Sequence, residues 1–291
     1  MTTQNVKKFL ILNLSRESKL YYGVNDTQWI DCVANAWMND KSNSAWRYES
    51  IKDFSGINKN SKILDMASGC GTFVFYGLLN GYDVYGIEPE EWKNQFNKMK
   101  IKLYNYPKNW ENHFIKAFGE NLPFQNESFD IISSYQTLEH VSNVRVCLKE
   151  MLRVIKKGGG IFLHFPNYQS TFEGHYRLPW LPLFQKNLAK IYLKILKRPT
   201  LGLDTINYVT KGNIIYLLRM LGGSKIIITD LDKVSFHKRT KHIIKKLSLK
   251  KMGYIGKIIA PIINLTYTYF YIPMKKIFRS EKSVHLFIQK I

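Results

Sequence analysis

The sequence predicts an α/β fold in which a mostly parallel sheet carries helices on both faces and accepts helical insertions. Three observations predict it. Ile63-Leu64 reads as the end of a buried strand, with Asp65 at its tip and a glycine turn at Gly69 and Gly71 leading into a helical run, Thr72 to Asn80. Tyr82-Asp83-Val84-Tyr85-Gly86-Ile87 reads as the next strand, and strand and helix continue to alternate up to Phe165. The final apolar run, Val284-His285-Leu286-Phe287-Ile288, reads as the last strand, antiparallel to its neighbours. Alternation of this kind implies helices packed on both sides of a parallel sheet.

Taken in order, residues 1–57 are expected to form an N-terminal helical cap. Residues 26–55 supply one or two helices, with Asp26 as N-cap and Trp29, Val33, Ala36 and Trp37 on one packing face. The cap precedes the glycine turn, so it can act as a lid. The short run Phe9-Leu10-Ile11-Leu12 is broken by Asn13 and Arg16, and no signal peptide is predicted. Residues 58–166 form the core. Residues 167–209 exceed a minimal core: Phe172-Glu173-Gly174-His175-Tyr176 and Leu178-Pro179-Trp180-Leu181-Pro182 make an aromatic, proline-marked insert. A basic amphipathic helix follows, with Leu188, Ile191, Ile195 and Leu196 as its stripe and Lys186, Lys190, Lys194 and Lys197 beside it. Residues 210–230 return to the core as a helix and a strand, Lys225 to Thr229. Residues 231–282 form a second insertion, lysine-rich and then apolar and aromatic from Ile258 to Met274, and residues 283–291 close the sheet.

Composition narrows the partners. The chain has 291 residues, is 45% hydrophobic and has a formal net charge of +21, enough apolar content for a full core and a field that attracts anions. Cys32, Cys70 and Cys147 lie far apart without metal-like spacing, which suits free thiols in a reducing cytoplasm. The basic excess concentrates after Arg145. A lysine-rich segment beside an apolar aromatic one suits an anionic membrane interface, so a cytoplasmic protein peripheral to the inner membrane face is expected.

The glycine turn points to a nucleoside cofactor. Glu88 ends the second strand roughly 20 residues past the turn, placed to accept hydrogen bonds from ribose hydroxyls. The nicotinamide fingerprint fails, because Val74 stands where its third glycine belongs. A carboxylate at Asp65 would also repel a pyrophosphate. A cationic sulfonium with an amino-acid end suits Asp65 instead, as in S-adenosylmethionine.

The segment resembles motif I of the class I S-adenosylmethionine-dependent methyltransferases, with Ala67 in place of the first glycine and expected to hold ordinary backbone angles. Later landmarks of that family follow in order: Glu120 to Phe124, Ser128 to Ser133, Gln136-Thr137-Leu138-Glu139-His140-Val141, and Leu152 to Gly160. The resemblance covers about residues 60 to 166. It implies a Rossmann-like seven-stranded sheet and S-adenosylmethionine held by Asp65, Ala67, Gly69, Gly71, Glu88, Phe118, Gly119 and Tyr135. Phe118 departs from the pattern, since the family often has an acid there. The resemblance then implies adenine contacts from backbone at Phe118 and Gly119, with the Phe118 ring either stacking or packing in the core.

Methyl transfer to a hydroxyl needs a base, and histidine is the usual one. His140, His164 and His175 are candidates. His175 is favoured, with Glu173 orienting it and His140 close by. Glu173, His140 and His175 could also hold a divalent ion, but their spacing matches no metal signature and no resident metal is expected. The insert resembles those of surface-polysaccharide and lipid-linked methyltransferases, and the ubiquinone-type enzymes share the core. The leading reading is O-methylation of a glycan or lipid-linked small molecule. RNA methylation through the basic insertion and a non-catalytic scaffold binding membrane or a partner are the alternatives. No recognised RNA-binding module is present, so nucleic acid is the less favoured partner.

Overall fold

The computed structural model describes residues 1–42, 44–233 and 282–291. Three helices open the chain: α1 (Thr3–Glu17), α2 (Thr27–Met38) and α3 (Ala45–Ser55). The core follows as β1 (Lys62–Met66), α4 (Thr72–Leu79), β2 (Asp83–Ile87), α5 (Glu91–Leu103), β3 (Phe114–Ile115), β4 (Phe129–Tyr135), α6 (Val144–Val154) and β5 (Ile155–Pro166). A hairpin of β6 (Phe172–Glu173) and β7 (Leu178–Pro179) and two helices, α7 (Lys186–Ile195) and α8 (Leu201–Asp204), form the insert. The chain closes with α9 (Lys211–Gly222), β8 (Ile226–Asp230) and β9 (Ser283–Lys290).

The seven-stranded sheet runs β3-β2-β1-β4-β5-β9-β8. Neighbours from β3 to β5 pair in parallel, while β9 is antiparallel to both β5 and β8. The expected sheet and its reversed last strand are therefore present. Alternation along the strands divides the core. Leu64, Ile132 and Leu163 pack with Leu148, Met151 and Leu218 on one face. Ile63, Val84, Ile131 and Phe162 pack with Tyr48 and Phe73 on the other.

The N-terminal cap is helical from Thr3, ahead of the helices expected over residues 26–55. The run around Phe9 to Leu12 lies inside α1, which buries Val6, Leu10 and Leu14 against Ile30, Ala34 and Phe96. Asn13 and Arg16 do not break it, because neither lies on that stripe. Asp26 does cap α2, accepting from the Trp29 amide at 2.9 Å. The packing face of α2 is rotated from the expected one: Ile30 and Ala34 are buried, whereas Trp29 is turned outward, its ring 5.8 Å from the Arg177 guanidinium. Lys100, fully buried on α5, ties this cap to the core through Asp40, the Trp37 carbonyl and the Cys70 carbonyl.

On α7 the core-facing residues are Ala189 and Leu193. Leu188, Ile191 and Ile195 face solvent, the last 74% exposed, so the apolar stripe does not serve the fold. Lys186 and Lys190 are engaged inward, on the Ile206 carbonyl and on Asp204. The second insertion falls almost wholly on residues 234–281, outside the described residues. Among the described residues no helix is long and apolar enough to cross a membrane.

Candidate functional site

The glycine turn sits at the carboxyl end of β1, where open parallel sheets place their ligands. Gly69 has φ +56°, and a side chain there would meet nothing within 4 Å, so the turn opens onto free space. Gly71 has φ +72°, and a Cβ would come within 2.7 Å of the Phe114 ring, so that position needs glycine for packing as well. Ala67 does not keep ordinary angles: its φ is +52°, a left-handed conformation that strains any residue with a Cβ. Glu88 braces the turn from β2. Its Oε2 accepts from the Gly69 amide at 2.9 Å and its Oε1 from the Glu90 amide at 3.0 Å. Burial raises the Glu88 carboxyl above its usual range, with Lys93 opposing. Ser68 Oγ is buried here without a hydrogen-bond partner among the described residues.

Asp65 has a partner that sequence spacing does not reveal. Arg47 of α3 reaches it at 2.6 Å and also donates to Ser133 Oγ at 2.6 Å. Asp65 therefore holds the cap helix against the ends of β1 and β4. Beside Arg47 a cavity of about 360 Å³ opens between α3 and the carboxyl ends of β4 and β5. Trp46, Tyr135 and His164 line it, with the Tyr135 and His164 rings stacked at 4.2 Å. Asp232 and His285 stand at its far side, His285 Nδ1 2.7 Å from Asp232 Oδ1. Phe118 is 63% exposed on the loop after β3, which excludes the core alternative and leaves its face available. At Gly119 a Cβ would come within 2.9 Å of Cys147 Sγ.

The insert brings the candidate bases together. Glu173 is buried and fixed on three sides: Tyr168 Oη donates at 3.2 Å, the Tyr176 amide at 2.6 Å, and His175 Nδ1 lies 2.7 Å away. His175 Nε2 meets His140 Nε2 at 3.1 Å. Burial opposes the charged form of His175, but the Glu173 contacts outweigh it and raise its pKa above the ordinary value. His140 is lowered, by burial first and then by His175. The pair shares one proton most simply when His175 donates from both nitrogens and His140 accepts. The Tyr22 ring packs at a tilt against His175 with centroids 5.2 Å apart, delivered by a π-helical turn, Ser18–Tyr22, at the end of α1. The expected trio of His140, Glu173 and His175 is thus one cluster, whereas His164 faces the separate cavity. Arg47, Tyr22 and Glu139 belong to these sites and were missed. Only Glu139, adjacent to His140, carried a signal that spacing could have shown.

The residues fit the cofactor expected from the sequence: an open turn at Gly69, a braced carboxylate at Glu88 and an unpartnered hydroxyl at Ser68. Residues 64–163 match the model of a methyltransferase domain family. The chain is 26% identical over 197 residues to a demethylmenaquinone methyltransferase of Staphylococcus haemolyticus, covering 65% of this chain and 78% of that one. It is 28% identical over 166 residues to a ubiquinone/menaquinone biosynthesis C-methyltransferase of Neisseria meningitidis, covering 54% and 65%. Among solved structures, the YcgJ protein of Bacillus subtilis aligns with a TM-score of 0.49 at 15% identity, over 84% of this chain and 97% of that one. Sheet order, the glycine turn and the methyltransferase-domain match over residues 64–163 together support an S-adenosylmethionine-dependent methyltransferase. Its cofactor is S-adenosylmethionine, the methyl donor.

Proposed function

We propose that the chain methylates a hydroxyl of a glycan or lipid-linked small molecule at the cytoplasmic membrane face. The observation that carries this reading is the insert itself. One end sets Glu173 and His175 against His140 of the core, and the other exposes Leu188, Ile191 and Ile195 beside Lys194 and Lys197. A base pair of this kind suits an acceptor whose proton must be removed. An apolar stripe edged by lysines suits an acceptor carried on an anionic membrane. The donor methyl is already activated on sulfur, so positioning and the exclusion of water supply much of the remaining rate. His175 takes the hydroxyl proton, and Glu173 balances the charge that develops.

The names of the relatives favour a second reading, C-methylation of a quinone-type ring on a lipid tail. Incubation with methyl-labelled S-adenosylmethionine and a lysate containing membranes tests both. Label in the glycan or lipid-linked fraction supports the leading reading, label in the quinone fraction the second, and label in RNA opposes both. Binding to anionic vesicles, lost in a Leu188→Ser, Ile191→Ser, Ile195→Ser variant, tests the membrane component separately.

A further inference from the structure

Glu139 is fully buried, and among the described residues neither of its carboxylate oxygens has a hydrogen-bond partner. Such a group costs several kcal/mol unless it is neutral or meets a cation, on the order of the penalty for burying an unpaired charge. It does not stand alone. One ligand atom each from Glu139, His140 and His175 lie within 4.8 Å of one another. The His140 and His175 Nε2 atoms are 3.1 Å apart. Two nitrogens each about 2.1 Å from a tetrahedral cation are separated by about 3.4 Å, so a shift of a few tenths of an ångström would admit one between these rings. The second nitrogen of His175 is held by Glu173, the carboxylate–histidine support that metal-bound imidazoles use. Glu173 is in turn fixed by Tyr168 and the Tyr176 amide. The ligands come from two chain segments, the loop after β4 and the insert. Asn207 clamps these segments together by donating its amide to the Glu139 carbonyl at 2.7 Å.

We propose that Glu139, His140 and His175 bind one divalent cation of the Zn²⁺ class, with Glu173 holding the His175 ring from outside. Two imidazoles and one carboxylate favour a borderline ion over Mg²⁺, which prefers oxygen ligands. Three protein ligands leave positions open for an acceptor oxygen. The use of the site rests on the hydroxyl-acceptor reading. The cation binds the hydroxyl oxygen and acidifies it, the O–H proton passes to water, the new O–CH₃ bond forms as the S–CH₃ bond breaks, and the cofactor leaves as a neutral thioether. With the cation in place His175 is a ligand, and acidification replaces direct proton transfer to its ring. A resident cation here departs from the sequence expectation of no resident metal.

The test is metal binding to chelator-stripped protein, without any acceptor. Zn²⁺ titrated by calorimetry should bind one per chain, Co²⁺ should give visible ligand-field bands, and Mg²⁺ should bind far more weakly. Glu139→Gln, His140→Ala and His175→Ala should each weaken Zn²⁺ binding by about tenfold or more, and Glu173→Gln by about 10- to 100-fold. His113→Ala should bind as wild type does, since His113 lies elsewhere, 2.8 Å from the Val84 carbonyl. His175→Ala removes a ring that is 22% exposed and keeps the fold testable if Glu139→Gln does not. Wild type binding Zn²⁺ no better than His175→Ala, with no Co²⁺ bands, would overturn the proposal. Binding without methyl label on a hydroxyl would leave the site standing and remove its assigned role. Hydroxyl methylation without binding would overturn the cation site and leave the hydroxyl-acceptor reading standing.

Discussion

The Nε2 atoms of His140 and His175 face each other at 3.1 Å, although the two residues lie 35 positions apart. His140 follows β4 in the core, and His175 comes from an insert that a minimal core does not need. Their meeting places the insert's chemistry against the cofactor-binding half of the molecule. His175→Ala should therefore lower turnover by about a hundredfold or more while leaving S-adenosylhomocysteine affinity within about twofold, as expected for loss of a proton-accepting group. In cation-free protein the rate should rise with pH through a value above 6.5, because His175 must lose its proton to act and Glu173 raises its pKa. Steady-state kinetics across pH check both statements, and full activity in His175→Ala would end its candidacy.

Glu139 makes a prediction about stability. Burial raises its carboxyl from 4.5 to about 7. The folded state holds the proton more tightly than the unfolded state, so this contribution is complete below pH 4.5 and is lost as pH rises through about 7. A shift of this size corresponds to about 3 kcal/mol. Chemical denaturation of cation-free protein should show the difference between Glu139→Gln and wild type moving in favour of the variant between those pH values. A pH-independent difference would mean that Glu139 is not the buried acid.

Ala67 occupies the left-handed region that its family counterpart fills with glycine. Ala67→Gly should relieve that strain and stabilise the protein by about 1 kcal/mol, less whatever the freer unfolded chain takes back. Thermal unfolding measures it, and a lower midpoint would show that the alanine methyl packs usefully.

Glu88 braces the open turn through the Gly69 amide. Glu88→Ala removes that brace and a charge-assisted acceptor, and should weaken S-adenosylhomocysteine binding by about 1–3 kcal/mol. Calorimetric titration checks it, and unchanged affinity would take Glu88 out of the site.

Much of the sheet was legible because its signals are local. Asp65, Gly69, Gly71 and Glu88 sit at fixed offsets within one strand–turn–helix–strand unit, and buried parallel strands write continuous apolar runs. The antiparallel strand at Val284 to Ile288 was readable for the same reason. What stayed hidden depends on distance in sequence. Nothing near Arg47 announces that it pairs with Asp65, and nothing near Lys100 announces Asp40. α1 was hidden because a four-residue apolar run drew the eye from the wider spacing of Val6, Leu10 and Leu14. On α2 and α7 the spacing gave the helix but not its phase, since two adjacent stripes of either helix are apolar and only the tertiary partner decides which is buried. Glu139 was in view as part of a motif, but its missing partner is a property of the fold.

The most direct test of the central claim is the bond that the transferred methyl ends in. Product labelled from S-adenosylmethionine, isolated from the membrane-containing lysate, can be identified by mass spectrometry and NMR. A methyl ether on a glycan or lipid-linked acceptor is the predicted result. A methyl on ring carbon, or on a nucleic-acid base, would contradict it.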